Sequence, residues 1–95
     1  MQNEIASNFE DQQRIDSFFQ RLNSHENSAI VEAYNNEKRI VGVRAQNLYL
    51  IALNKIFINR FQKSPIHVIS DGIVSLTGPI YYLEQLDTFD WFNKN

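Results

Sequence analysis

Ninety-five residues with 43% hydrophobic and 13% aromatic side chains describe one folded domain, long enough for a single core. The lack of cysteine excludes disulfides, thiolate nucleophiles and most structural zinc arrangements, and a formal charge of −2 excludes a global attraction to polyanions. The start of the chain has neither the basic residues nor the apolar run of a secretory signal, and the longest apolar stretch, Leu48 to Leu53, is far shorter than the roughly 20 residues of a membrane span. A cytoplasmic location without a membrane partner is the expectation.

Residues 1–6 carry no periodic pattern and are expected to be disordered. Ser7-Asn8-Phe9-Glu10 fits a capping box, in which the serine side chain accepts from the backbone three residues on and the glutamate reaches back. A first helix follows, with Ile15, Phe18, Phe19 and Leu22 at helical spacing and a Glu10/Arg14 pair four apart. Asn23 to Ser28 is rich in side chains that compete for backbone hydrogen bonds and reads as a loop.

Ala29 to Tyr34 and Arg39 to Arg44 contain β-branched residues and are separated by Asn35-Asn36-Glu37-Lys38, which suits a hairpin connection. Gly42 inside the second of these strands is the mark of a bulge or a close approach. Next comes the segment around which the chain is organised, Leu48 to Phe61. At about 100° per residue, Tyr49, Leu50, Ala52, Leu53, Ile56, Phe57 and Phe61 fall on one broad arc, and Lys55, Asn59 and Gln62 gather opposite. An arc of that width has to be covered, and sheets built from flanking hairpins are the nearest cover.

Lys63-Ser64-Pro65 ends the helical pattern, because proline disfavours helix in the residue before it. Ile66 to Thr77 is then a second hairpin with Asp71-Gly72 in a two-residue turn. Pairing Ser70 with Ile73 puts His67, Ile69, Val74 and Leu76 on one face. After Gly78-Pro79, a stripe of Tyr82, Leu83, Leu86 and Phe89 predicts a C-terminal helix, with a short strand over Ile80 to Leu83 as its competitor. The predicted architecture is therefore α+β in the order α-β-β-α-β-β-α. Two hairpins form a mainly antiparallel sheet against the central helix, and N- and C-terminal helices flank it, all within one domain over residues 1–95.

The run Val68 to Gly78 resembles the hairpin of BON-type domains and, less closely, the early strands of Sm-like RNA-binding proteins. It covers only those residues, and the chain after Leu83 leaves little room for the elements that either family adds, so neither is assigned.

Chemistry is sparsely signalled. His25 lies in a polar loop, whereas His67, on a strand, marks a candidate small-molecule pocket. Two histidines without thiols or metal-ligand spacing point to no metal, Glu84, Asp87 and Asp90 suit a solvated acidic face, and dispersed glycines form no phosphate loop. No catalytic residue and no cofactor is assigned, and an enzyme is not expected. Residues 1–37 hold two basic and seven acidic side chains, residues 38–70 six basic and none acidic, and residues 71–95 one basic and four acidic. A basic middle between acidic ends predicts charge pairing within the fold; alternatively, Arg39, Arg44, Lys55, Arg60 and Lys63 are a candidate polyanion-binding set for nucleic acid. Tyr81, Trp91 and Phe92 are left outside the C-terminal stripe and are the candidate protein-interaction residues, since such rings concentrate at interface hot spots. The expectation drawn from all this is a non-enzymatic interaction or regulatory module, working as a homodimer or with another protein partner.

Overall fold

The computed structural model describes residues 9–37, 44–70 and 73–92. The chain is α+β. Three helices come first, α1 (Phe9–Leu22), α2 (Asn27–Asn35) and α3 (Arg44–Phe61), followed by four short strands, β1 (Ile66–Ser70), β2 (Ile73–Leu76), β3 (Ile80–Leu83) and β4 (Thr88–Trp91). The expected disorder of residues 1–6, the serine of the capping box, residues 39–43 of the expected strand Arg39 to Arg44 with its Gly42, and the Asp71-Gly72 turn lie outside the described residues, and Arg44 opens α3 instead of closing that strand.

The central helix forms where its apolar arc predicts, extended by a turn at its start. Leu48, Leu50, Ile51, Ala52, Leu53, Ile56, Phe57 and Phe61 are all buried, so the arc is wider than the sequence pattern suggests and the helix is enclosed on several sides. Its C-terminus is closed by Gln62 in the left-handed conformation (φ 60°), whose N–H donates to the Ile58 carbonyl at 3.0 Å. On α1, Glu10 and Asp11 in the first turn and Arg21 in the last complement the helix dipole, and Ile15 and Leu22 are buried against α3. The two helices run parallel, because Asp11 holds Arg44 at one end and Asn23 holds Arg60 at the other.

Two expectations are corrected. Ala29 to Tyr34 is helical, not the first strand of a hairpin. Ile30, Val31 and Tyr34 are the buried residues of α2, a spacing of one and four that only a helix turns to one side, and Ala29, Glu32 and Ala33 are good helix formers between them. Ile80 to Trp91 is a hairpin, not a helix. Ile80, Tyr82, Phe89 and Trp91 alternate with Tyr81, Leu83, Thr88 and Asp90, and a period of two lets Ile80 and Phe89 both be fully buried. The stripe of Tyr82, Leu83, Leu86 and Phe89 has helical spacing, but burial follows the period of two: Leu83 pairs with Thr88 on the face away from Phe89, and Leu86 is exposed in the turn.

The hairpins do not join. Among the described residues β1–β2 and β3–β4 are separate two-stranded antiparallel sheets, in place of one four-stranded sheet. Within β1–β2, Ser70 lies opposite Ile73 as expected, but Ile69 is an extra residue that shifts the register, so His67 faces Ser75 and Val68 faces Val74. Ile66, Val68, Val74 and Leu76 therefore pack toward the core, and His67 and Ile69 are exposed on the other side.

The β3–β4 hairpin and α2 meet the lower half of α3 through aromatic rings. Phe57 lies 5.2 Å from Phe89, 5.6 Å from Phe61 and 5.9 Å from Tyr34, and Phe89 lies 5.2 Å from Trp91. The tilted and edge-on arrangements are those that ring quadrupoles favour. Tyr34 then donates its hydroxyl proton to the carbonyl of Gly78 at 2.8 Å. Gly78 has φ 111°, a conformation open to glycine, and this is what turns β2 into β3.

Candidate interaction surfaces

Strand parity decides where the C-terminal aromatics go. Tyr81 and Phe92 lie on the outer face of the β3–β4 hairpin with ring centroids 5.0 Å apart, and are 37% and 62% exposed. Trp91 has the opposite parity and turns inward. Its ring packs on Phe89, its Nε1 donates to Thr77 Oγ1 at 2.6 Å, and Lys63 Nζ lies 5.4 Å from its centroid and 4.7 Å from that of Phe89. Of the three rings singled out from the sequence, two come together as an exposed pair and the third anchors the hairpin behind them.

The edges of this hairpin are partly closed by side chains. Asn35 donates Nδ2–H to the Ile80 carbonyl at 2.7 Å and accepts from the Ile80 N–H at 3.1 Å, so one amide imitates a neighbouring strand. On the other edge Asp90 Oδ1 accepts from the Trp91 N–H at 2.9 Å. Edges satisfied in this way template further strands poorly, which leaves the aromatic face as the more available contact.

At the turn, Tyr82 donates its hydroxyl proton to Asp87 Oδ1 at 2.5 Å and Asn27 Nδ2 donates to the same oxygen at 2.9 Å. The bond to Asp87 pushes the Tyr82 phenol up to about 12, with burial and the charges of Asp87, Glu84 and Glu26 adding to it. The same bond, with that from Asn27, holds the Asp87 carboxyl below its ordinary value. Tyr49, beside Phe18 between α1 and α3, is also raised, by burial first and then by Glu37, against an opposing contribution from Arg21.

The basic set is dispersed. Arg44 and Arg60 stand at opposite ends of α3, about 24 Å apart along its axis at 1.5 Å per residue. Arg44 is bonded to Asp11, its Nε at 3.0 Å from Oδ2. The Arg60 guanidinium donates to the carbonyls of Asn23 at 2.8 Å and His25 at 2.6 Å and to Asn27 Oδ1 at 3.0 Å, which ties the α1–α2 loop to α3. Lys63 is held over the Phe89 and Trp91 rings, and Lys55 lines a groove between α1 and α3; Arg39 lies outside the described residues.

Three clefts are relevant. The groove between α1 and α3, about 320 Å³, is lined by Asp16, Phe19, Lys55, Ile58 and Asn59. A second, about 290 Å³, lies where Tyr34, Asn35 and Glu37 meet Leu76, Gly78 and Pro79, and a third of about 200 Å³ lies in the β3–β4 turn. His67, the candidate pocket residue, is exposed on β1 and lines none of these three. Among the described residues no three His, Asp or Glu side chains are grouped to hold a metal ion, and no helix is long and apolar enough to cross a membrane. Phe19 belongs to the apolar stripe of α1 and so gives no sign of the α1–α3 groove in the sequence; the available signal is Ile58, an apolar residue outside the arc of α3.

Comparison with protein-family models, with curated proteins and with solved structures gives no match for this chain.

Proposed function

We propose that this chain is a non-enzymatic protein-interaction module of the cytoplasm that works as a homodimer, with the Tyr81/Phe92 pair as the docking point for a protein partner. The observation that carries this reading is the exposed ring pair on a hairpin whose inner face is fixed by Phe89 and Trp91. Rings that are rigid before binding lose little entropy on contact, which is why such residues dominate interface energetics. The polyanion reading draws less support, since Arg44, Arg60 and Lys63 are engaged in contacts within the chain.

The test is affinity capture with the wild-type chain and the Tyr81→Ala/Phe92→Ala variant. The expected result is a protein retained by the wild type and lost from the variant, with both folded by circular dichroism. Equal retention of the same proteins by both would contradict the docking assignment.

A further inference from the structure

Among the described residues, the outer side of the α1–α3 pair carries exposed apolar groups. Ile58 belongs to the helix around which the core is built, yet it is 50% exposed, and Phe9, two turns ahead of Asp16 on α1, is 74% exposed. Together with half-buried Phe19, Ile58 forms the apolar part of the groove of about 320 Å³. The banks of that groove carry one charge of each sign, Asp16 on α1 and Lys55 on α3. Among the described residues neither has an ion-pair partner, and the Asp16 carboxylate accepts only the Gln12 amide at 3.0 Å.

We propose that the α1–α3 groove is the dimer interface and that its occupant is a second copy of this chain. This rests on the homodimer part of the function proposed above and gives it a surface. A two-fold contact requires a patch that is complementary to itself. A two-fold axis along the groove sets α1 of each copy over α3 of the other, and keeps all four helices parallel because the two run parallel within the chain. Phe19 then meets Ile58 of the other copy and Asp16 meets Lys55, each contact made twice. A groove lined by a single sign of charge would repel its own copy, and a partner of one charge sign would leave either Asp16 or Lys55 opposed by a like charge. Two helices facing two helices is also the packing of a four-helix bundle, whose seam is apolar.

The test is sedimentation equilibrium of the full chain over a wide concentration range, with circular dichroism to verify folding. The wild type is expected at twice its 11.2 kDa mass. Ile58→Glu, Asp16→Lys and Lys55→Asp are each expected to weaken association at least tenfold, and the double variant Asp16→Lys/Lys55→Asp to restore it. Asp16 and Ile58 are exposed and Lys55 is half-buried beside the groove, so the variants should fold. The proposal is overturned by a wild type that stays monomeric throughout, by a dimer that survives all three single substitutions, or by a folded double variant that fails to recover. Tyr81→Ala/Phe92→Ala should leave the dimer intact; a monomer there would move the interface to the hairpin and overturn the assignment as well. A monomeric wild type whose partner capture still depends on Tyr81 and Phe92 removes the dimer alone, and a groove dimer without such capture removes the docking reading alone.

Discussion

Asp11 is the one charged side chain buried among the described residues, 6% exposed at the start of α1. Its partner Arg44 opens α3, so a single ion pair clamps the starts of two parallel helices. Removing the arginine leaves a buried carboxylate without that cation. Because the guanidinium side of the pair is open to solvent, the cost is set below that of a fully buried pair. Arg44→Ala should destabilise the fold by about 1–3 kcal/mol in urea denaturation; a change within measurement error would mean that Asp11 is satisfied without Arg44.

The Tyr82–Asp87 bond gives a second residue-scale prediction, on pH. The phenol is raised in the folded chain, so its contribution is fully present below the ordinary tyrosine value near 10 and is lost as pH rises from there through about 12. The Asp87 carboxyl is lowered, so its contribution holds above the ordinary carboxylate range and is lost as pH falls through the folded value. The clip on the β3–β4 turn therefore operates between those limits. In an absorbance titration of tyrosinate, one of the four tyrosines should ionise near 12, and Asp87→Asn should bring that transition down toward 10. An unchanged curve in the variant would show that the bond does not form in solution. None of this was legible in the sequence. Glu84, Asp87 and Asp90 were visible as an acidic run, but Tyr82 meets Asp87 only because the turn between β3 and β4 brings them together.

At the scale of elements, what was legible is what local pattern alone determines. The central helix follows from its apolar arc, and the β1–β2 hairpin follows from Asp71-Gly72 between two β-branched runs. The elements misassigned from sequence are those where local pattern was ambiguous and burial decided. Ile30 and Val31 suit a strand by propensity, and α2 forms because Ile30, Val31 and Tyr34 must reach the core together. The register of β1–β2 was missed for a related reason: one extra residue at Ile69 reverses the parity of everything before it, so His67 moved from the apolar face to the exposed one. The C-terminal hairpin is held mainly by Phe89, fully buried between Phe57, Phe61 and Trp91. Phe89→Ala should cost about 3–5 kcal/mol, a large share of the roughly 5–15 kcal/mol typical of a domain, and should release the Tyr81/Phe92 face at the same time. Thermal unfolding followed by near-ultraviolet circular dichroism reads the loss; a melting temperature close to wild type would mean that the hairpin is held by other contacts.

At the scale of the molecule, the parallel helices α1 and α3 present one outer face and the β3–β4 hairpin another. The proposals above give each a separate task, self-association at the helices and partner docking at the hairpin. The candidate site was legible in the sequence only in part. Tyr81, Trp91 and Phe92 stand out in the sequence because no helical stripe accounts for them, but the strand parity of Trp91 turns it inward to Phe89 and Thr77. The groove was not legible, since it depends on two helices lying side by side so that Phe19 and Ile58 line one cleft.

A concentration series of amide proton–nitrogen NMR spectra tests the division most directly, because it reports every described element at once in the unmodified chain. Resonances that shift as the chain is concentrated should map to Asp16, Phe19, Lys55, Ile58 and their neighbours on α1 and α3, with Tyr81 and Phe92 unmoved. Shifts centred instead on β3 and β4, with the helices silent, would contradict it.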